Sequence, residues 1–336
     1  MKSIQYFGID DLRLVEATKP TIKENECLLR IVSVGICGSD VHYLKDGGTG
    51  DVQLNQPMIL GHEFSAIVET GPLKGQLAAV DPALFCGTCE YCLEGKPNFC
   101  LNMRFAGAEG INGALQEFLA WPKEAVFPLP ESFSPQEGVL LEPLGVAIHA
   151  LRLGRVFPGM DVGVFGAGPI GLLTIQLAKL AGAARIFATD KLSHRIEIAR
   201  ECGATDVLLA DGKESEKILS ATNDRGLDVT FEAAGDDGSA VESAVLASKR
   251  GATVVVIGIP SIDETRFTAS AARRRGLTVK ISRRMINTYP AAISLVSNKM
   301  VNLSPLITHQ FPMKEYKKAF TTAANRLGAK VFINFI

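Results

Sequence analysis

The stretch Val162-Gly-Val-Phe-Gly-Ala-Gly-Pro-Ile-Gly171, VGVFGAGPIG, joins a short β-branched run to an amphipathic segment over 170–180. Gly166, Gly168 and Gly171 form G-x-G-x-x-G at the junction, followed at once by Pro169 and Ile170 or enclosing them. Alone, this pattern also fits a tight strand-to-helix turn without a ligand. Its context is more specific, because a second strand-like run, 185–190, ends in Asp190, 22 residues after Gly168. Glycines let the backbone approach a pyrophosphate held by amides at the positive helix terminus, and the carboxylate can accept hydrogen bonds from a ribose diol. The reading is a dinucleotide site made by Gly166, Gly168, Pro169, Ile170, Gly171, Asp190 and Arg195. Asp190 would repel a 2′-phosphate, which favours NAD over NADP, although Lys191 and Arg195 soften that inference.

Working outward, β-branched runs at 162–165, 185–190, 206–209, 228–231, 252–257 and 277–281 alternate with helical-period segments, the pattern of a doubly wound parallel sheet. Before residue 150 the texture differs. Short, partly alternating runs such as 27–34 and 67–70, punctuated by Gly, Pro and Asn, argue for antiparallel β structure. After Ile281 the text becomes irregular, then helix-like to Lys299, with a final strand at 330–335 that returns to the first domain.

With 336 residues the chain suits two domains. Its 47% hydrophobic and 21% charged residues exclude a disordered or fibrous chain. A formal charge of −1 with scattered basic residues leaves no field to collect nucleic acid, and Arg273 to Arg275 read as a solvated surface. The opening MKSIQYFGIDDLRLVE lacks a secretory apolar core and no segment approaches about 20 apolar residues, so no membrane partner and a cytoplasmic location are expected.

Four of the seven cysteines, Cys86, Cys89, Cys92 and Cys100, fall in a C-x2-C-x2-C-x7-C array within a Gly- and Pro-containing loop. Four thiolates satisfy a tetrahedral zinc with no open position, so this site should be structural. Elsewhere, Cys37 in GICGSDVHY, His62 and Glu63 in Gly-His-Glu, and Glu142 in Leu-Leu-Glu-Pro-Leu offer soft, borderline and hard ligands from separate segments. Such a set suits a zinc with one vacancy, as catalysis requires.

Together, GICGSDVHYLKDGG, GHE, the four-cysteine loop, LLEPL and GAGPIG resemble the zinc-dependent medium-chain dehydrogenase/reductase superfamily over essentially the whole chain. The branch most similar is sorbitol (polyol) dehydrogenase, whose C-terminal text is matched by Asn287 to Ser294 and Pro305 to Pro312. The resemblance implies a GroES-like β domain, 1–148 completed by 283–336, and a Rossmann NAD-binding domain at 149–282. It implies two zincs per subunit, the catalytic one on Cys37, His62 and Glu63, with Glu142 as a fourth ligand or as an acid behind the ligands. It places a proton relay at Ser39 and His42, for which a turn hydroxyl and a loop imidazole are the bland alternatives. A homodimer or homotetramer is implied in the same way.

Departures bear on the substrate. Ala108 stands where the branch places Thr after Phe105, and Arg284-Met285 replaces Arg-Tyr. Tyr43 and Glu109 could compensate, and Arg284 remains to grip hydroxyls or a carboxylate. The expected reaction is hydride transfer from a secondary hydroxyl of a polyol, sugar alcohol or sugar acid to NAD. A threonine-type amino-alcohol dehydrogenase is the alternative, and a non-catalytic dinucleotide-binding or structural protein is the second.

Overall fold

The computed structural model describes all residues except 51, 55, 56, 109, 236, 261, 262 and 336. The chain divides into two units, each with its own core. Unit 1 comprises Met1–Glu142, Tyr289–Asn298 and Ile307–Ile336, and unit 2 comprises Pro143–Thr288 and Lys299–Leu306. The divisions fall six residues from the 148/149 and 282/283 boundaries read in the sequence, and 299–306 belongs with unit 2 rather than with the first domain.

In unit 1 the described strands build a seven-stranded sheet. Its path runs Val126–Pro128, Leu77–Val80, Glu63–Val68, Glu26–Gly35, Lys330–Asn334 and Ile307–Pro312, with Phe118–Pro122 also paired to Glu26–Gly35. All pairs are antiparallel except the last, Ile307–Pro312 with Lys330–Asn334. Along Glu26–Gly35, buried and half-exposed positions alternate until the last three residues, which are all buried. That alternation is expected of an antiparallel strand with one face on the core. A three-stranded sheet of Asp11–Glu16, Lys2–Gly8 and Met58–Ile59 stands beside it. Tyr289 ties helix Tyr289–Ser297 into this unit, stacking on Phe127 with ring centroids 4.7 Å apart and donating its hydroxyl to the Val80 carbonyl at 2.7 Å.

Unit 2 is a six-stranded parallel sheet in the order Asp206–Leu209, Arg185–Asp190, Asp161–Phe165, Leu227–Glu232, Ser248–Val256 and Thr278–Ile281. The six strands expected from the sequence are all present, within a few residues. In chain order this is 3-2-1-4-5-6, the Rossmann arrangement, whose direction reverses between Asp161–Phe165 and Leu227–Glu232. Leu227–Glu232 is buried at every position. A central parallel strand covered on both faces reads as a continuous rather than an alternating run.

Close packing at the reversal requires glycine. A Cβ on Gly171 would stand 1.8 Å from the Gly166 carbonyl oxygen, and one on Gly166, whose φ is 102°, would stand 2.7 Å from the Ala234 nitrogen. Gly171→Ala should therefore lower stability by about 1–3 kcal/mol or more. Thermal melting checks this, and NAD titration should show a parallel loss of binding.

Candidate active site

The register of the central sheet assembles the site in unit 1. Gly35, at the end of Glu26–Gly35, lies opposite Glu63 on one side and Phe332 on the other. The next residue, Ile36, donates its N–H to the Val331 carbonyl at 2.9 Å. Cys37 thus leaves the sheet beside Glu63 and Lys330, residues remote in sequence. One turn of helix Pro135–Gly154 adds Glu142, and Val139 on that turn approaches Gly35.

Donor atoms of Cys37, His62 and Glu63 all lie within 4.8 Å of one another, with His62 and Glu63 buried. Zinc bonds of 2.0–2.3 Å to such donors set them about 3.3–3.8 Å apart in a tetrahedron, so a small inward movement closes the set around an ion. The donor chemistry fits zinc: one thiolate, one imidazole and one carboxylate supply two negative charges to a divalent cation. Glu142 is 8% exposed and lies outside this three-atom set, yet its carboxyl responds to Glu63, His62 and Cys37. Of the two roles read in the sequence, this placement favours the acid behind the ligands.

The electrostatics are those of anionic groups crowded away from water. Burial first, and Glu63 second, push the Cys37 thiol up to about 12, while the Ser39 hydroxyl beside it works in the opposite direction. Burial and then Glu63 push Glu142 up to about 8. A cation in the pocket would reverse these shifts, because opposite charge favours the ionised form.

Two residues at the centre of this site were not singled out in the sequence. Asp40, 1% exposed, accepts the Cys37 N–H at 2.9 Å and the Gly61 N–H at 3.2 Å, with one oxygen 3.8 Å from His62 Nδ1. It therefore joins the two ligand-bearing loops and stands close enough to the imidazole to act on it as a charge, though beyond hydrogen-bond distance. Its sequence signal was available: Cys37 caps helix Gly38–Asp46, and Asp40 is the third helical residue, where an acid reaches back to the cap. Lys330, 3% exposed, forms an ion pair with Glu63 Oε2. Its only signal was one charge inside the apolar run AKVFINFI.

Other expected site residues are distributed as follows. His42 is partly exposed and places Nδ1 2.8 Å from Asp46, one turn along its own helix. Phe105 sets its ring against His62, with centroids 5.3 Å apart. Tyr43 is buried among the core residues of unit 1. Glu109 lies outside the described residues. Arg284 belongs to unit 2 and has a left-handed backbone, with φ 52°.

The four cysteines of the loop converge as well, all free, with their sulfurs within 4.8 Å of one another. Cys100 Sγ accepts the Cys86 N–H and Cys86 Sγ accepts the Cys89 N–H, each at 3.3 Å. Hydrogen bonds from Thr88 lead in holding the Cys86 thiol down to about 5, whereas desolvation and the neighbouring thiols push Cys92 up to about 12. The cluster therefore ionises only in part by itself, and a divalent cation supplies the charge that would complete it.

In unit 2, Gly168 caps helix Pro169–Leu180. Asp190, at the end of Arg185–Asp190, accepts the Ala167 N–H at 2.8 Å and the Leu192 N–H at 2.9 Å. Arg195 Nη1 lies 4.0 Å from Asp190, and a Cβ on Gly168 would stand 3.6 Å from it. The glycine loop, the carboxylate and Arg195 are thus gathered at the carboxyl end of the parallel strands.

The alcohol dehydrogenase GroES-like domain profile matches residues 23–131 and the zinc-binding dehydrogenase profile matches 169–298. Sorbitol dehydrogenase from Pongo abelii is 38% identical over 342 residues, which cover 98% of this chain and 95% of that protein. The chain belongs to the zinc-dependent medium-chain dehydrogenase superfamily, in its polyol dehydrogenase branch. Among solved structures, L-idonate 5-dehydrogenase from Escherichia coli superposes with a TM-score of 0.92 at 27% identity, covering 99% of this chain and 98% of that one. An E. coli alcohol dehydrogenase complexed with NADH has a TM-score of 0.91 at 26% identity, covering 100% and 99%. The zinc chemistry of the family accords with both donor clusters of this member.

Two outcomes are expected. Because the Glu142 pKa rises from 4.5 to about 8 on folding, the metal-free native state holds a proton that the unfolded chain has released. This contribution to stability is present below about pH 4.5 and lost as pH rises to about 8. Melting of metal-free enzyme across that range should show the decline, with a shallower slope in Glu142→Gln. Replacing Cys89 by Ser should remove one zinc per chain by metal analysis and lower the melting temperature.

Proposed function

We propose that this dehydrogenase oxidises a secondary hydroxyl of a polyol, sugar alcohol or sugar acid with NAD. The observation that carries the reading is the convergence of Cys37, His62 and Glu63, with buried Glu142 behind them. When bound, zinc supplies Lewis acidity toward the hydroxyl oxygen and nicotinamide accepts the hydride. Cys37, His62 and Glu63 would hold the catalytic metal, and Cys86, Cys89, Cys92 and Cys100 the structural one. Glu142 takes the hydroxyl proton, with Ser39 and His42 as the other exit. Arg284, Phe105, Tyr43 and Glu109 select the substrate.

The domains of this reading are 1–148 with 283–336 for the metals and 149–282 for the dinucleotide, supported by the observed units. Asp190 beside the glycine loop supports NAD, as does the NADH bound by the E. coli relative. The substrates for which two relatives are named, sorbitol and L-idonate, support a polyhydroxylated substrate. A homodimer or homotetramer is proposed on the family resemblance. Among the described residues no helix is long and apolar enough to cross a membrane. A cytoplasmic location is proposed, with the free clustered thiols in its support.

The test is NADH formation by zinc-replete protein over polyols, sugar acids, cyclitols and threonine, with NADP and metal-stripped enzyme as controls. Zinc-dependent turnover of one polyol or sugar-acid class with NAD is expected, and turnover of threonine alone would overturn the substrate class. Cys37→Ser should abolish turnover while leaving NAD binding nearly intact, measured by fluorescence titration.

A further inference from the structure

We infer that Lys330 is a positioning residue for the catalytic metal: it anchors the Glu63 carboxylate so that the donor set is assembled before an ion arrives. The inference rests on the metal site proposed above and concerns how that site is maintained.

Lys330 is 3% exposed, and its ammonium pairs with Glu63, which is itself 2% exposed. A buried ammonium persists only with a partner that offsets its lost hydration. Glu63 is that partner, in direct ion pairing with Lys330 inside the unit. Lys330 also places its positive charge within reach of both Cys37 and Glu142. Without it, Glu63 would share the pocket with an acid and a thiol and have no countercharge.

The surrounding backbone reserves space for this pair. A Cβ on Gly35 would stand 2.6 Å from Glu63 Oε2 and 2.9 Å from Lys330 Cε. The antiparallel register Phe332 to Gly35 and Gly35 to Glu63 puts the two charged residues on strands flanking the same glycine. One Glu63 oxygen is held toward Lys330, and the carboxylate remains within 4.8 Å of the Cys37 and His62 donors. An anchored carboxylate loses less freedom when it ligates, so affinity rises without any direct contact between Lys330 and the metal. Partners of this kind are worth about 10–100-fold in metal affinity.

The experiment compares wild type, Lys330→Met, Glu63→Gln and the double variant. Zinc per chain is followed under increasing chelator, and the visible spectrum of cobalt-substituted protein is recorded. Wild type should hold two zincs. Lys330→Met should release one of them at about 10–100-fold lower chelator strength, with the four-cysteine site unaffected and the cobalt bands of the mixed-donor site shifted. In the Glu63→Gln background the same substitution should change metal retention little, since the anchored group is already absent, and the double variant, which has lost both charges of the pair, carries neither partner as an unpaired buried charge that could hinder folding. Equal loss in both backgrounds, or full retention of two zincs by folded Lys330→Met with an unchanged spectrum, would overturn the positioning role. A wild type that binds zinc only at the four cysteines would instead overturn the proposed catalytic metal site.

Discussion

Cys37, Glu63, Glu142 and Asp40 share one water-poor region of unit 1, where burial first and Glu63 after it make Cys37 and Glu142 costlier to ionise, and burial does the same to Asp40. Anionic groups crowd in this way only where a cation is available or where some of them keep their protons. Asp40 is partly relieved by two backbone N–H groups and His62, and Glu63 by Lys330. Cys37, Glu142 and, despite those partners, Asp40 are left with raised pKa values. A divalent metal relieves the remaining strain, so the pocket reads as a metal site from its energetics as well as from its donor types.

The same constraint explains why the sheet is built as it is. Three strands converge at Gly35, and the absence of a side chain there lets Glu63 and Lys330 meet. The C-terminal strand Lys330–Asn334 therefore both completes the sheet and carries the countercharge. In unit 2 the parallel arrangement is the close approach of Gly166 to Ala234 and of Gly171 to Gly166, which frees the helix terminus and Asp190 for a dinucleotide. Both sites depend on glycine at a point where backbone or charge must come closer than a Cβ permits.

The two metal clusters differ in the same terms. Four sulfurs in one short loop ask little of the surrounding fold, since residues 86–100 contain every donor. The mixed site draws on a loop after one strand, the start of another and a helix, so its geometry is a property of the whole unit. This is why a metal-binding lobe is legible from spacing, while the second site also involves residues outside the donor set, Lys330 against Glu63 and Asp40 against the Cys37 and Gly61 backbone.

Local pattern was enough for much of this protein. The six parallel strands, the glycine loop with Asp190, the four-cysteine array and the three donors Cys37, His62 and Glu63 follow from spacing, periodicity and ligand chemistry, all of which act over short stretches of chain. Tertiary structure decided what depends on register and burial. It joined Lys330 to Glu63 across 267 residues, used Asp40 to tie the Cys37 and Gly61 loops, and buried Glu142 within electrostatic reach of the three donors. It also buried Tyr43 in the core and gave His42 to Asp46. Charge pairing and desolvation depend on which distant groups share a water-excluded space, and that is settled only when the strands are in register.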